Sequence, residues 1–296
     1  MLKYRKIYYT LSASMVVASI LSLGLFGLNF GIDFKGGSLM EIEFSGERPT
    51  PEKINEKLAV FELGDMIIQE IGDKGLVLRF KDIDETLHQD IVNNLKEYGD
   101  FEELRFDSVG SILGEETKQK SLWAILLVVI LILIYIAWAF RRISFPLKSW
   151  KYGVVATIAL FHDVLIAAGS ISLIGHFTDI EIGAPFVAAL LTILGYSVND
   201  TIVVFDRIRE NILRQGAVFD FAKIINKSVA ETYVRSLNTS LTVLFALVAI
   251  FIFGGETIHY FALTLIIGIG VGTYSSIFLA SPLLFSWSML KLKKRT

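Results

Sequence analysis

The chain has 296 residues, a hydrophobic fraction of 53%, no cysteine and a formal net charge of −2. The lack of cysteine excludes a disulfide framework and a thiolate metal site. The near-neutral total gives no sign of the basic excess of a nucleic-acid-binding domain, so no nucleic-acid partner is expected.

The apolar fraction lies only modestly above that of ordinary globular proteins, but its distribution does not. Runs free of Asp, Glu, Lys and Arg cover Ile7–Ile32, Ser121–Phe140, Ile182–Val198, Ser236–Gly255 and Thr257–Leu290, and a sixth, Tyr152–Thr178, is broken only by Asp163. A bilayer core is crossed by roughly 20 apolar residues, so the pattern predicts a polytopic α-helical membrane protein with six transmembrane helices. The predicted spans are 7–30, 121–140, 152–175, 182–206, 235–254 and 257–287, with a loop at 207–234 and a basic tail at 288–296. The first run exceeds the roughly 7–15 residues of a signal-peptide core and lacks a clean small-residue cleavage site after it, so a retained helix is expected. The last apolar run is expected to end near Pro282, because proline interrupts helices.

Loop charges give an orientation. Lys3, Arg5 and Lys6 precede the first span. Arg141, Arg142, Lys148 and Lys151 follow the second, and Arg207, Arg209, Arg214, Lys223 and Lys227 follow the fourth. Lys291, Lys293, Lys294 and Arg295 close the chain, whereas Gly175–Glu181 and Gly254–Glu256 carry no Lys or Arg. Both termini are therefore expected in the cytoplasm, with the segment between the first two spans outside.

That segment, residues 31–120, holds 11 Lys and Arg against 21 Asp and Glu, a net of −10 that the rest of the chain offsets. Ser38–Phe44 alternates polar and apolar residues as a half-buried strand does. Thr50-Pro51-Glu52 reads as a helix start, with Ile54, Leu58 and Phe61 on one face. Met66–Ile71 and Leu76–Phe80 flank the hairpin turn Gly72-Asp73-Lys74-Gly75. Leu87, Ile91, Asn94 and Leu95 mark a second helix, and Phe101–Val109 a last strand. The order βαββαβ predicts a small α+β domain of ferredoxin-like type. His88, among acidic neighbours, is expected to be solvated on a helix surface, and no catalytic, metal-ligand or cofactor cluster is seen. Asp33, Phe34, Gly36 and Gly37 mark a sharp turn out of the membrane, since paired glycines permit backbone angles that other residues resist. This segment and Ser108–Lys120 are either plain connections or functional hinges.

Ionisable residues within the spans carry the functional signal, because a central charge costs about 2.5–3.5 kcal/mol even on insertion scales. In span four Tyr196, Asn199, Asp200, Val203, Asp206 and Arg207 share a helical face. In span five Arg235, Asn238, Thr239 and Thr242 do the same, and the two stripes invite pairing of Asp200 with Arg235. Arg235 is otherwise an ordinary basic anchor at the membrane boundary. Asp163, beside His162 in span three, is a second buried carboxylate. The reading that follows is an ion path through Asp200, Arg235, Asn199, Asp163, Asn238 and Thr239, with purely structural pairing as the alternative. Gly268, Gly270 and Gly272 in span six suit close helix packing.

The segments Gly31-Ile32-Asp33-Phe34-Lys35-Gly36-Gly37, Phe161-His162-Asp163-Val164, Gly195–Asn211 and Leu237-Asn238-Thr239-Ser240 resemble the SecF branch of the SecD/SecF family, in the resistance–nodulation–division superfamily. The resemblance covers essentially the whole chain. It implies an auxiliary subunit of the bacterial preprotein translocase, without covalent chemistry, in the inner membrane. The implied partners are SecD, the SecYEG channel, the ATPase SecA and the translocating preprotein, and the implied energy source is the proton or sodium gradient. It also implies that Asp200 and Arg235 line the ion path, which favours a buried Arg235. Two other classes fit the residues less well. An intramembrane aspartyl protease would use Asp163 and Asp200 as its acid pair, but the Gly-x-Gly-Asp signature is absent. A half-transporter for a small molecule or lipid would need an apolar pocket in the outer domain, which is small and acidic.

Overall fold

The computed structural model describes residues 1–141, 147–178, 181–215 and 220–293, the last with backbone only at 256–257 and 291–293. Arg142, Lys294 and Arg295 of the charge pattern, and parts of the three loops, lie outside the described residues. Two compact units are present: residues 30–122, and residues 1–29 together with 123 onward.

The first span contains α1 (Arg5–Leu25), and the smaller unit begins with a one-turn helix, α2 (Ile32–Lys35). Then come β1 (Gly37–Phe44), α3 (Pro51–Leu58), β2 (Ile67–Ile71), β3 (Gly75–Phe80), α4 (Glu85–Leu95) and β4 (Phe101–Val109). The four strands form one antiparallel sheet in the order β2-β3-β1-β4. Alternation places Met40, Ile42 and Phe44 of β1 and Leu76, Leu78 and Phe80 of β3 on one buried face. Ile54 and Leu58 of α3 and Ile91 and Leu95 of α4 close over it. Each such side chain contributes about 1.5–3 kcal/mol on full burial, and with no disulfide available that packing holds the unit together. Asp84 caps α4 by accepting from Leu87 N–H at 2.9 Å.

The turn after α2 is tightly packed. Gly36 and Gly37 have φ of +77° and +121°, and a Cβ on Gly36 would lie 2.6 Å from Ser111 Cα. Phe34 is buried, and Gly114 approaches the Gly36 backbone so closely that its own Cβ would sit 2.8 Å from Gly36 N. Ser111–Lys120 is helical and runs without a break into the second span.

Among the described residues, six helices are long and apolar enough to span a membrane: Leu2–Leu25, Ser111–Ala139, Ser149–Thr178, Ala184–Gln215, Phe221–Phe253 and Ile258–Leu290. They correspond to α1, α5, α6, α7, α8 and a composite sixth span. The sixth does not stop at Pro282: α9 (Glu256–Ser275) passes through a π-helical turn, Ser276–Ala280, into α10 (Ser281–Lys293). Pro282 supplies the reason, since it donates no N–H and its ring crowds the carbonyl four residues back, and the wider turn absorbs both defects. Within the chain 61% of the central stretch of α6 and of the sixth span is buried, against 11% in α5, so α6 and the sixth span form the middle of the bundle.

Small residues let these helices approach. A Cβ at Gly268 would lie 2.1 Å from Ile193 Cδ1, and one at Gly272 would lie 3.2 Å from Ser197 Cβ, so these glycines of α9 pack on α7 at matching four-residue spacing. Gly270 faces open space. Gly169 of α6 meets Ser19 of α1 in the same way, and Ser22 Oγ donates to Gly169 O at 2.9 Å. Where α7 leads into α8, Arg207 pairs with Glu231 at 2.7 Å and Asn211 donates to Ser228 and Glu231. Trp150 and Trp287 meet edge to face with Lys151 over both rings, an aromatic and basic rim of the kind found at membrane surfaces.

Candidate functional site

Among the described residues, two carboxylates are buried in the helix bundle. Asp163, on α6, has no exposed surface. Its Oδ2 accepts from Ser197 Oγ of α7 at 2.5 Å and from Ser275 Oγ of α9 at 2.7 Å, and its Oδ1 lies 2.8 Å from His162 Nδ1. A carboxylate without its own proton only accepts, so the His162 contact requires the proton on Nδ1. Gly272 makes room for this cluster, because a Cβ there would stand 3.5 Å from Asp163 Oδ2.

Asp200, on α7, retains 7% of its surface. Its Oδ1 accepts from Ser236 Oγ of α8 at 2.5 Å, and its Oδ2 accepts from Ser276 Oγ at the start of the π-helical turn. It borders a cavity of about 70 Å³ lined by Tyr196, Asn199, Asp200, Val203, Arg235, Ser236 and Thr239. Four of the six ion-path candidates, Asn199, Asp200, Arg235 and Thr239, therefore share one small space. Asp163 and Asn238 do not line it.

Arg235 borders the cavity but forms no ion pair with Asp200 among the described residues, so the expected pairing is not what the structure shows. Two serine hydroxyls, Ser236 and Ser276, are the partners of the Asp200 carboxylate instead. Arg235, Asn238, Thr239 and Thr242 instead form an exposed stripe along α8, and the expected burial of Arg235 is absent in the chain alone. Sequence reasoning missed the four partner serines, Ser197, Ser236, Ser275 and Ser276. Periodicity shows which residues share a face, but not which helix lies opposite.

His88 of the smaller unit is also corrected. It is only 5% exposed, stacks on Phe106 with ring centroids 3.7 Å apart, and presents Nε2 to Glu103 at 2.9 Å and Nδ1 to Glu85 at 3.2 Å. Hydrogen bonds from Gln89 and then His88 hold the Glu85 carboxyl below the usual range. The acidic neighbours that suggested a solvated residue are its partners.

Fold and site together define a multi-pass membrane protein with hydrogen-bonded carboxylates between its helices. The chain belongs to the SecD/SecF family of protein-export membrane proteins. Residues 89–290 match the family described as protein export membrane protein SecD/SecF, C-terminal, and residues 21–47 match the SecD/SecF GG motif. The chain is 43% identical to the protein translocase subunit SecF of Thermobaculum terrenum, over 99% of this chain and 96% of that one. It is 40% identical to that of Vibrio alginolyticus, over 95% and 87%. The crystal structure of SecDF from Thermus thermophilus superposes with a TM-score of 0.81 at 30% identity, covering 97% of this chain. The chain spans 38% of the length of that SecDF chain.

Proposed function

We propose that the protein is an accessory subunit of the Sec translocase that works with a SecD-type partner, using the proton or sodium gradient to promote late steps of preprotein export. The observation that carries this reading is the juxtaposition of buried Asp200 with a cavity that Arg235 and Thr239 of the exposed polar stripe of α8 also line. The polar stripe from Arg235 to Thr242 enters span five, where polar side chains left against lipid are costly. A second set of membrane helices covering the stripe removes that cost and completes a path to Asp200. The full-length likeness to subunits named SecF, and to a longer SecDF chain of which this one matches a part, supports a SecD-type partner.

The cavity size favours an ion over a larger cargo. About 70 Å³ lies far below the roughly 300–1,000 Å³ of small-molecule sites. Export of a small molecule or lipid gains no support from it. The loop charges support cytoplasmic termini in the inner membrane and an outer position for residues 31–120. The sheet order β2-β3-β1-β4 with its two helices supports the ferredoxin-like description of that domain.

In this cycle Asp200 takes up an ion from outside and releases it towards the cytoplasm, and Arg235, brought against the site when the partner covers it, favours the ion-free carboxylate. A proton crossing 100 mV yields about 2.3 kcal/mol, enough to shift a two-state equilibrium by more than about tenfold. The turn at Asp33, Phe34, Gly36 and Gly37 and the start of α5 transmit the change to the outer domain. That domain acts on a preprotein emerging from SecYEG after SecA has driven insertion. In vesicles containing the partner and the SecYEG channel, Asp200→Asn is expected to abolish the gradient-dependent part of export while leaving the ATP-driven part. Gradient-dependent export at the unmodified rate would remove Asp200 from the cycle.

A further inference from the structure

Ser275 and Ser276 are adjacent, yet each answers a different carboxylate. Ser275 Oγ donates to Asp163 at 2.7 Å, and Ser276 Oγ donates to Asp200. The junction between them is where α9 gives way to the π-helical turn. Each hydroxyl has a second acceptor one turn back on its own helix, Gly272 O for Ser275 and Thr273 O for Ser276, both at 3.1 Å. A hydroxyl carries a single proton, so each serine chooses between holding a carboxylate and folding back on its helix. Ser281 Oγ, five residues on, reaches Ser276 O at 3.3 Å and bridges the widened turn.

The two carboxylates differ in access. Asp200 borders the cavity, whereas Asp163 is fully buried, lines no part of that cavity and accepts three hydrogen bonds from α6, α7 and α9. We propose that Asp163 is not a stop on the ion path but a positioning residue, which anchors Ser275 so that only the turn beginning at Ser276 responds to the charge of Asp200. The inference rests on the reading of Asp200 as the ion-exchanging group. With Asp200 charged, Ser276 is held across to α7. When an ion neutralises Asp200, the Ser276 proton turns back to Thr273 O, and the π-helical turn is released from α7. With Ser275 clamped by Asp163, the release travels into α10 rather than back along α9. π-helical turns inside α-helices recur at functional sites, and here the turn supplies the slack that a regular helix lacks.

The test uses the complex of this chain with its SecD-type partner in vesicles, reading proton uptake with a pH-sensitive dye and sodium uptake in parallel. An ion-binding residue sets the half-saturating ion concentration, while a positioning residue sets the maximal rate. Asp163→Asn is expected to lower maximal flux by about tenfold with half-saturation moved by less than about twofold. Ser275→Ala should show the same split, and the double variant should be no worse than Asp163→Asn alone, because both cut one link. Ser275→Ala also serves if Asp163→Asn does not assemble, since it leaves Asp163 two of its three donors. Hydrogen exchange, which does not depend on flux, should rise several-fold in Asp163→Asn at residues 270–275, the end of α9 that the anchor holds, and stay unchanged in α7.

A half-saturation shifted about tenfold by Asp163→Asn would make Asp163 an ion ligand and overturn the proposal. Unchanged exchange at 270–275 would overturn it as well. Full flux in Asp200→Asn would instead defeat the proposed function, and exchange at 270–275 would then judge the anchor by itself.

Discussion

Asp163 and Asp200 look alike by chemistry: both are carboxylates in mid-helix, and both receive hydroxyls from the sixth span. They differ in what lies behind those hydroxyls. Asp163 is enclosed by α6, α7 and α9 with an imidazole and two serines as donors, whereas Asp200 has two serines and an adjoining cavity. Burial therefore does not separate the proposed positioning carboxylate from the proposed exchanging one. Access does, and it depends on where the surrounding helices leave a gap. The difference is sharpest in chemical labelling. Dicyclohexylcarbodiimide, an apolar carboxyl reagent, should modify Asp200 and spare Asp163, read by mass spectrometry of the intact membrane protein. Equal labelling at both positions would erase the distinction.

Stability gives the next largest contrast. Asp163→Ala leaves His162 Nδ1–H and Ser197 without their acceptor in a sealed interior, and each buried unpaired donor costs about 1–3 kcal/mol. Ser275 loses less, since Gly272 O stands ready. Asp200→Ala frees Ser276 to use Thr273 O and leaves Ser236 beside a cavity that water can enter. The expected loss is about 3 kcal/mol for Asp163→Ala and about 1 kcal/mol for Asp200→Ala, measured as unfolding in detergent followed by tryptophan fluorescence. The reverse order would mean that Asp163 is less tightly enclosed than its hydrogen bonds indicate.

Much of this was legible in the sequence because it depends on one element at a time. Charge-free runs of bilayer length marked six helices, and strand alternation and turn residues marked the small antiparallel sheet. Asp200 stood out as a charge in an apolar run. Relations between helices were not legible. Ser275 and Ser276 read as small packing residues, since nothing local shows that two carboxylates from two other helices converge on them. Pro282 announced a break, but a π-helical turn absorbs it, and which outcome prevails depends on the neighbours that hold the helix in place. His88 was misjudged for a related reason. Its acidic neighbours suggested water, while Phe106 and Glu103, which bury it, come from a strand 15 or more residues further on.

The smallest predicted contrast tests how closely α9 must approach α7 beside Asp163. Gly270 and Gly272 lie on the same helix two residues apart, and each is replaced by alanine. Alanine in a helix gains about 0.5–1 kcal/mol over glycine from backbone entropy, and this gain is common to both positions. At Gly270 nothing lies within 4 Å of the new methyl group, so the gain stands and the variant should unfold slightly later. At Gly272 the methyl group meets Ser197 Cβ at 3.2 Å and Asp163 Oδ2 at 3.5 Å, so α7 must retreat by a few tenths of an ångström from the carboxylate its serine holds. Crowding of this kind costs about 1–3 kcal/mol, which cancels or outweighs the gain. Gly272→Ala should therefore unfold no later than the unmodified chain and earlier than Gly270→Ala. If both variants were equally stabilised, the contact between α7 and α9 would have slack to spare, and Ser275 would not need Asp163 to hold it.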